Sequence, residues 1–256
     1  MDSWDSELKE YLRHRPLFLA VLRGKEAHLY KEYLPLKRPV LDYGCGDGFF
    51  AKVTFDKPID IALDVEDSRI DEVKKEGVYV KMVKYDGKKI PFKDNHFATV
   101  VSNSVLEHVD GLNGALKEIY RVLRSKGKFL TTVMAAPWED YLFGAKIFGK
   151  SYKDYMRKKQ VHINLLSKNE WDESFKKAGF KVNKTVGHLD EQSSRFIDIL
   201  HYFSIPSLIS YKLTGKWVMF PRLADFIYPR KLFMEYIRRN VSPDASGALF
   251  YELEKK

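Results

Sequence analysis

The sequence predicts an α/β fold built on a mostly parallel sheet with helices on both faces. Two observations carry this. Short apolar runs at 39–43, 59–63, 78–83, 96–101 and 128–133 alternate with segments of helical character, the pattern of βαβ units. The first run, ending in Asp42-Tyr43, passes directly into three alternating glycines, Gly44, Gly46 and Gly48, and a helical segment starts after them. Glycine permits a tight turn and close approach of a ligand to the backbone. The following helix start offers unpaired N–H groups and partial positive charge.

The elements follow in order. Residues 4–34 place Leu8, Tyr11, Leu12, Leu17, Leu22, Leu29 and Tyr30 at helical spacings, and Pro16 divides them into two helices. After the glycine strand and Ile59–Leu63, the stretch 67–76 is helical, with Asp67 or Ser68 as its N-cap. Val78–Val83 and His96–Val101 are the third and fourth strands. Residues 111–124 put Leu112, Leu116, Ile119, Tyr120 and Leu123 on one face, an amphipathic helix that stops at Gly127. Lys128–Val133 is the fifth strand. Residues 136–160 are aromatic and basic without a clear period. Ser167 followed by Glu170 forms a capping box that opens a helix to Ala178. Phe180–Val186 is a sixth strand, and 247–253 a last one after a long insert broken by Pro206, Pro221 and Pro229.

Composition narrows the class. Of 256 residues, 45% are hydrophobic and 31% charged, which excludes disorder and collagen-like repeats. The single cysteine, Cys45, excludes an internal disulfide and a cysteine-rich zinc site, and a reducing, cytoplasmic setting is expected. The acidic, polar start at Met1–Glu7 is not that of a secretory signal. The longest apolar stretch, 196–210, contains Asp198, His201 and Pro206 and is too polar to span a bilayer. The formal charge is +9, most of it in residues 134–256, which favours an anionic partner: nucleic acid, a phosphorylated substrate or a membrane surface.

The glycine loop departs from a dinucleotide fingerprint, because Phe49 stands where the third glycine belongs. Two further acids follow at strand ends. Asp64 closes the second strand, where a carboxylate accepts hydrogen bonds from ribose hydroxyls, ~1.5–3 kcal/mol for each charge-assisted bond. Asp86 follows the third strand, in reach of an adenine amino group. Three acids at the carboxyl ends of successive parallel strands mark the edge where open α/β sheets bind ligands.

Taken together, Asp42-x-Gly44-x-Gly46-x-Gly48, Asp64, Asp86-Gly87, the run Ile90–Val109 with Asn103 and Glu107-His108, Leu116–Val133, and His162–Ser167 with Trp171 and Ala178-Gly179-Phe180 resemble the class I (Rossmann-like) S-adenosylmethionine-dependent methyltransferases. Within that class the small-molecule branch of ubiquinone/menaquinone-type enzymes is the most similar. The resemblance spans about residues 38–188. It implies a Rossmann-like, mostly parallel seven-stranded sheet, and S-adenosylmethionine as cofactor with S-adenosylhomocysteine as product. It implies that Asp42, Tyr43, Gly44, Cys45 and Gly46 lie along the methionine moiety and that Asp64 holds the ribose. Val65, Asp86 and Gly87 would flank and read the adenine, and Asn103 would contact the aminoacyl end. Arg124-Ser125-Lys126-Gly127 departs from the Pro-Gly-Gly frequent in relatives and alters a turn.

The domain reading is therefore an N-terminal helical segment, 1–37; a cofactor-binding core, 38–189; a helical aromatic and basic insert, 190–245, as a lid or substrate cap; and a final core strand, 246–256. Methyl transfer from a sulfonium is an in-line displacement in which positioning supplies much of the rate. A hydroxyl acceptor also needs a base, and His108 and His162 are the candidates for a catalytic role. Glu107 beside His108 is too small a set for a metal, and no metal is expected. The insert holds ten aromatics between 190 and 240, interleaved with basic residues such as Arg195, Lys212, Lys216 and Arg222. That composition suits a small or lipid-like acceptor with an anionic group, and peripheral contact with the inner face of a membrane. A nucleic-acid methyltransferase and a non-catalytic binding protein of the same fold are the rival readings. No Asn-Pro-Pro-Tyr motif is present for the first, and the three intact acids argue against the second.

Overall fold

The computed structural model describes residues 3–66 and 77–256. The helix expected over 67–76 lies outside the described residues. The chain opens with helices α1, Ser3–His14, and α2, Leu17–Lys31, parted at Pro16. Strand β1, Val40–Tyr43, leads through the glycine loop to α3, Phe49–Thr54, and then to β2, Ile59–Val65. Next come β3, Tyr79–Tyr85; β4, Phe97–Asn103; a 3₁₀ turn, Leu106–His108; α4, Leu112–Val122; and β5, Leu123–Met134. Helices α5, Pro137–Tyr141, α6, Phe143–Gln160, and α7, Lys168–Lys177, precede β6, Phe180–Gly187. The insert forms α8, Glu191–Phe203, α9, Ile205–Thr214, α10, Pro221–Ile227, and α11, Arg230–Ile237, before β7, Ala248–Lys255.

The seven strands make one sheet in the order β3-β2-β1-β4-β5-β7-β6, parallel except for β7, which runs antiparallel to both β5 and β6. β1 is buried along its whole length, as a central strand covered on both faces must be. Strand order reverses between β1 and β4, so their carboxyl ends form the crevice at the switch point. One face of the sheet packs against α4 and α7 through Leu116, Ile119, Trp171 and Phe175. On the other side a second cluster joins α1, α2, α5, α6, α8 and α11 through Leu8, Leu12, Trp138, Met156, Ile197 and Phe233. The ends of the insert thus share a core with the N-terminal helices.

One local expectation changes, one segment without a reading gains one, and one expectation holds. The helix over 111–124 ends at Val122 and the chain enters β5 at once, with Leu123 paired to Phe97 before a bulge. Gly127 therefore lies inside the strand, where an added Cβ would stand 2.8 Å from the Arg124 carbonyl oxygen. Residues 136–160, unreadable by period, are helical with a kink at Gly149 (φ 58°, ψ −137°), and this non-helical residue interrupts the repeat. The capping box forms as expected: Ser167 Oγ accepts from the Glu170 amide while the Glu170 carboxylate accepts from the Ser167 amide at 2.8 Å.

Candidate functional site

The glycine loop turns because each glycine takes a positive φ: 76° at Gly44, 56° at Gly46 and 76° at Gly48. A Cβ on Gly44 would lie 2.5 Å from both γ-methyls of Val105, whereas one on Gly46 meets nothing within 4 Å. The loop backbone is thus pressed against β4's exit on one side and borders open space on the other, a cradle with room beside Gly46. Asp64 shapes this cradle: its Oδ2 accepts from the Gly46 amide at 2.7 Å and its Oδ1 from the Val65 amide at 2.8 Å.

Asp42 is buried behind the loop, and its Oδ2 accepts from the Tyr79 hydroxyl at 2.5 Å. Burial pushes its pKa up to about 7, the Tyr79 hydrogen bond opposes this, and the Asp64 charge adds to it. Tyr43 and Cys45 are buried too; the Tyr43 hydroxyl accepts from Tyr85 at 3.0 Å, and burial raises the Cys45 thiol pKa. Asp86 is exposed, and its Oδ1 accepts from the Lys88 and Lys89 amides, bonds that lower its pKa. Gly87, at φ 77°, lies against Val65, which is exposed at the crevice.

Asn103 leads from the site to α2. Its Nδ2 donates to Glu26 at 2.9 Å and to Thr132 Oγ1 at 2.7 Å, and its Oδ1 accepts from Arg23 at 3.0 Å. Arg23 also donates to Glu26 at 2.5 Å and to Ser104 Oγ. Burial alone would raise the Glu26 pKa, but the Arg23 charge, the His188 ring with Nε2 3.8 Å from Oε1, and the hydrogen bond from Asn103 bring it down to about 2. At the other end of this layer Arg15 of the α1–α2 link pairs with Asp47 at 2.8 Å and lies over the Phe49 ring at 3.9 Å. The N-terminal helices therefore close over both the glycine loop and the β4 exit.

A cavity of about 290 Å³ opens at the carboxyl ends of β4 and β5. Phe18, Leu19, Leu22, Trp138, Met134 and Met156 give it apolar walls, and Arg23, Ser104, Glu107, His108, Lys159 and His162 supply its polar groups. The structure brings the two candidate histidines together, with ring centroids 5.3 Å apart. Asn164 explains this juxtaposition: its Nδ2 donates to the Leu106 and Val109 carbonyls, and the Ile163 and Asn164 amides donate to the Glu107 carbonyl. His108 Nδ1 lies 3.0 Å from the Val161 carbonyl oxygen, which makes Nδ1 the donor and leaves Nε2 to accept. His162 is buried, its Nδ1 has no partner among the described residues, and burial with the neighbouring His108 lowers its pKa to about 4.

Glu107 was set aside in the sequence as half of a poor metal pair. In the structure it is fully buried on the cavity wall: Oε1 accepts from the Met134 amide at 3.3 Å, and Oε2 has no partner among the described residues. Burial raises its pKa to about 7. Arg23, Glu26 and Tyr79 were missed as well. For Arg23 and Glu26 the available signal is in α2, where these charges fall among Ala20, Val21, Leu22 and Ala27; Tyr79 opens β3 and carries no such signal. The ten aromatics of the insert are absent from this cavity, to which the insert contributes Ile197, Asp198 and His201 from α8. Asp198 anchors that wall by accepting from the Gly144 amide at 3.1 Å and the Tyr152 hydroxyl at 2.8 Å. Among the described residues no group of three or more His, Cys, Asp or Glu side chains is placed to hold a metal, and no helix is long and apolar enough to cross a membrane.

The methyltransferase domain family matches residues 41–131, from β1 into β5. An uncharacterised protein of Methanocaldococcus jannaschii is 30% identical over 168 residues, covering 65% of this chain and 75% of that protein. The malonyl-[acyl-carrier protein] O-methyltransferase of Enterobacter lignolyticus is 31% identical over 118 residues, 45% of this chain and 47% of its own length. A solved S-adenosylmethionine-dependent methyltransferase of Thermotoga maritima has the same fold, with a TM-score of 0.59 at 20% identity over 96% of this chain and 92% of that one. Glycine loop, sheet order and these relatives agree: the chain belongs to the class I S-adenosylmethionine-dependent methyltransferases, with S-adenosylmethionine as its cofactor.

Proposed function

We propose that this enzyme methylates a small or lipid-like acceptor seated in the cavity at the ends of β4 and β5. The observation that carries this is the cavity itself: about 290 Å³, walled by apolar side chains, with a buried carboxyl and two histidines at the β4 exit, where Val105 packs against Gly44 of the glycine loop. Bound S-adenosylmethionine supplies a methyl group already activated on a sulfonium. Asp64 and the backbone of Tyr43, Gly44, Cys45 and Gly46 hold the cofactor, with Asp42 behind them; Val65, Asp86 and Gly87 take its adenine end and Asn103 its aminoacyl end. Residues 38–189 and 246–256 thus form the cofactor half. Residues 1–37, with α8 of the 190–245 insert, close the acceptor half. Glu107 Oε2 accepts the proton an acceptor hydroxyl or acidic carbon gives up, His108 lines the same cavity, and Arg23 and Lys159 favour an anionic group on the acceptor. Relatives named for malonyl-[acyl-carrier protein], demethylmenaquinone and a sterol support an acceptor of this class.

Labelled-methyl transfer into fractionated cell extracts tests the acceptor class. Label in a small-molecule or lipid fraction is expected; label confined to RNA would overturn the reading. Asp64→Ala tests the cofactor half. Losing its charge-assisted bonds should weaken S-adenosylmethionine binding roughly 10–150-fold by calorimetry, and an unchanged Kd would remove Asp64 from the site.

A further inference from the structure

Resting on the acceptor class proposed above, we infer that the α9–α10 face of the insert docks on an anionic lipid surface. Helix α9 is packed inside out. Its apolar residues Ile205, Leu208, Ile209 and Leu213 follow the i, i+3, i+4, i+8 spacing of one helical face, a face that ordinarily points to the core. Here it points to solvent, with Leu213 80% exposed, while the more covered positions are Ser207, Ser210 and Tyr211. No residue of α9 is buried. The surface continues through Phe203, Met219, Phe220, Leu223 and Phe226, the last 88% exposed. A run of this size is far beyond scattered surface hydrophobes and marks an interaction site.

Charge selects the occupant. From Ile199 to Ala224 the chain has no Asp or Glu, while Lys212, Lys216 and Arg222 stand exposed. Among the described residues none of the three has an acidic partner. Apolar side chains interspersed along the chain with three cations and a single acid, Asp225, match the boundary between acyl chains and anionic headgroups. Trp217 and Tyr211, stacked at 4.2 Å between the two helices, are the residue types favoured at that depth. Between α9 and α10 an apolar groove of about 220 Å³, lined by Pro206, Trp217, Met219, Phe220 and Leu223, is open to take the end of an acyl chain. The face also adjoins the acceptor cavity in sequence. His201 lines the cavity and Phe203 opens the exposed face, so α8 links a lipid surface to the methylation site.

The test is flotation of the full chain with phosphatidylcholine vesicles, with and without phosphatidylglycerol. Binding is expected to the anionic vesicles and to fall as salt rises. The double variant Leu213→Glu/Phe226→Glu changes two exposed side chains and should bind at least ~10-fold more weakly, with its S-adenosylmethionine affinity unchanged. Equal binding by the variant, or no binding to either vesicle, would overturn the inference. So would a dimer in light scattering that the same variant dissociates, since the face would then belong to a second copy. Methyl transfer to a small-molecule or lipid fraction without vesicle binding would remove this docking face and leave the proposed acceptor class standing.

Discussion

Glu107→Gln should lower kcat by ~10²–10⁴, the range of a positioned proton acceptor, while S-adenosylmethionine still binds. The carboxyl is buried on the cavity wall with Oε2 unpartnered among the described residues. Its pKa, raised to about 7 by burial, sets the sign of two effects. The group accepts a proton only when ionised, so wild-type kcat should rise as pH climbs through about 7, and the variant should lose that limb. The unfolded chain ionises this carboxyl near its ordinary value, so the wild type loses stability as pH rises from about 4.5 to about 7. Gln removes that penalty, up to ~3 kcal/mol for a displacement of this size. A lower kcat with a higher Tm at pH 8 is therefore expected. A residue that only holds the wall would lose both together, and an unaltered pH–rate profile would dismiss Glu107 as the base.

Arg23→Ala should destabilise the protein by ~3–5 kcal/mol, because it leaves the fully buried Glu26 carboxylate without its countercharge. For a chain of this size that is a Tm fall of roughly 10 °C. Glu26 retains Asn103 Nδ2 and Ser104 Oγ, which carry no charge, and His188 at 3.8 Å, whose pKa burial lowers. The pH dependence checks the cause. With a folded pKa of about 2, Glu26 stabilises the wild type above its ordinary value and that contribution disappears as pH falls from about 4.5 towards 2. In Arg23→Ala the acid limb should shrink. Arg23→Ala/Glu26→Gln should recover part of the loss, since the unpaired charge is gone. Thermal melts of the single variant within ~1 kcal/mol of wild type would show that the pair contributes little.

The strands, the glycine loop and the acids at the strand ends were legible because each obeys a local rule. Apolar runs make buried strands, and alternating glycines make a turn of positive φ. A residue following a parallel strand stands at the ligand edge whatever the rest of the chain does. The break at Pro16 and the Ser167–Glu170 box are local in the same way. Other features depend on partners far apart in the chain. Tyr79 reaches Asp42 across 37 positions and Arg23 reaches Asn103 across 80. Glu107 becomes a buried, half-partnered carboxyl only when β5, α2 and the 162–164 segment close around it. The insert shows the limit most plainly. Its aromatics share no wall with the cavity at the ends of β4 and β5, which is lined from α2, α5, α6 and one face of α8, and the apolar side of α9 is turned outward. Sequence period tells which residues share a face of a helix. What that face meets is decided by packing against elements remote in sequence, because burial is a property of the assembled surface and not of the segment.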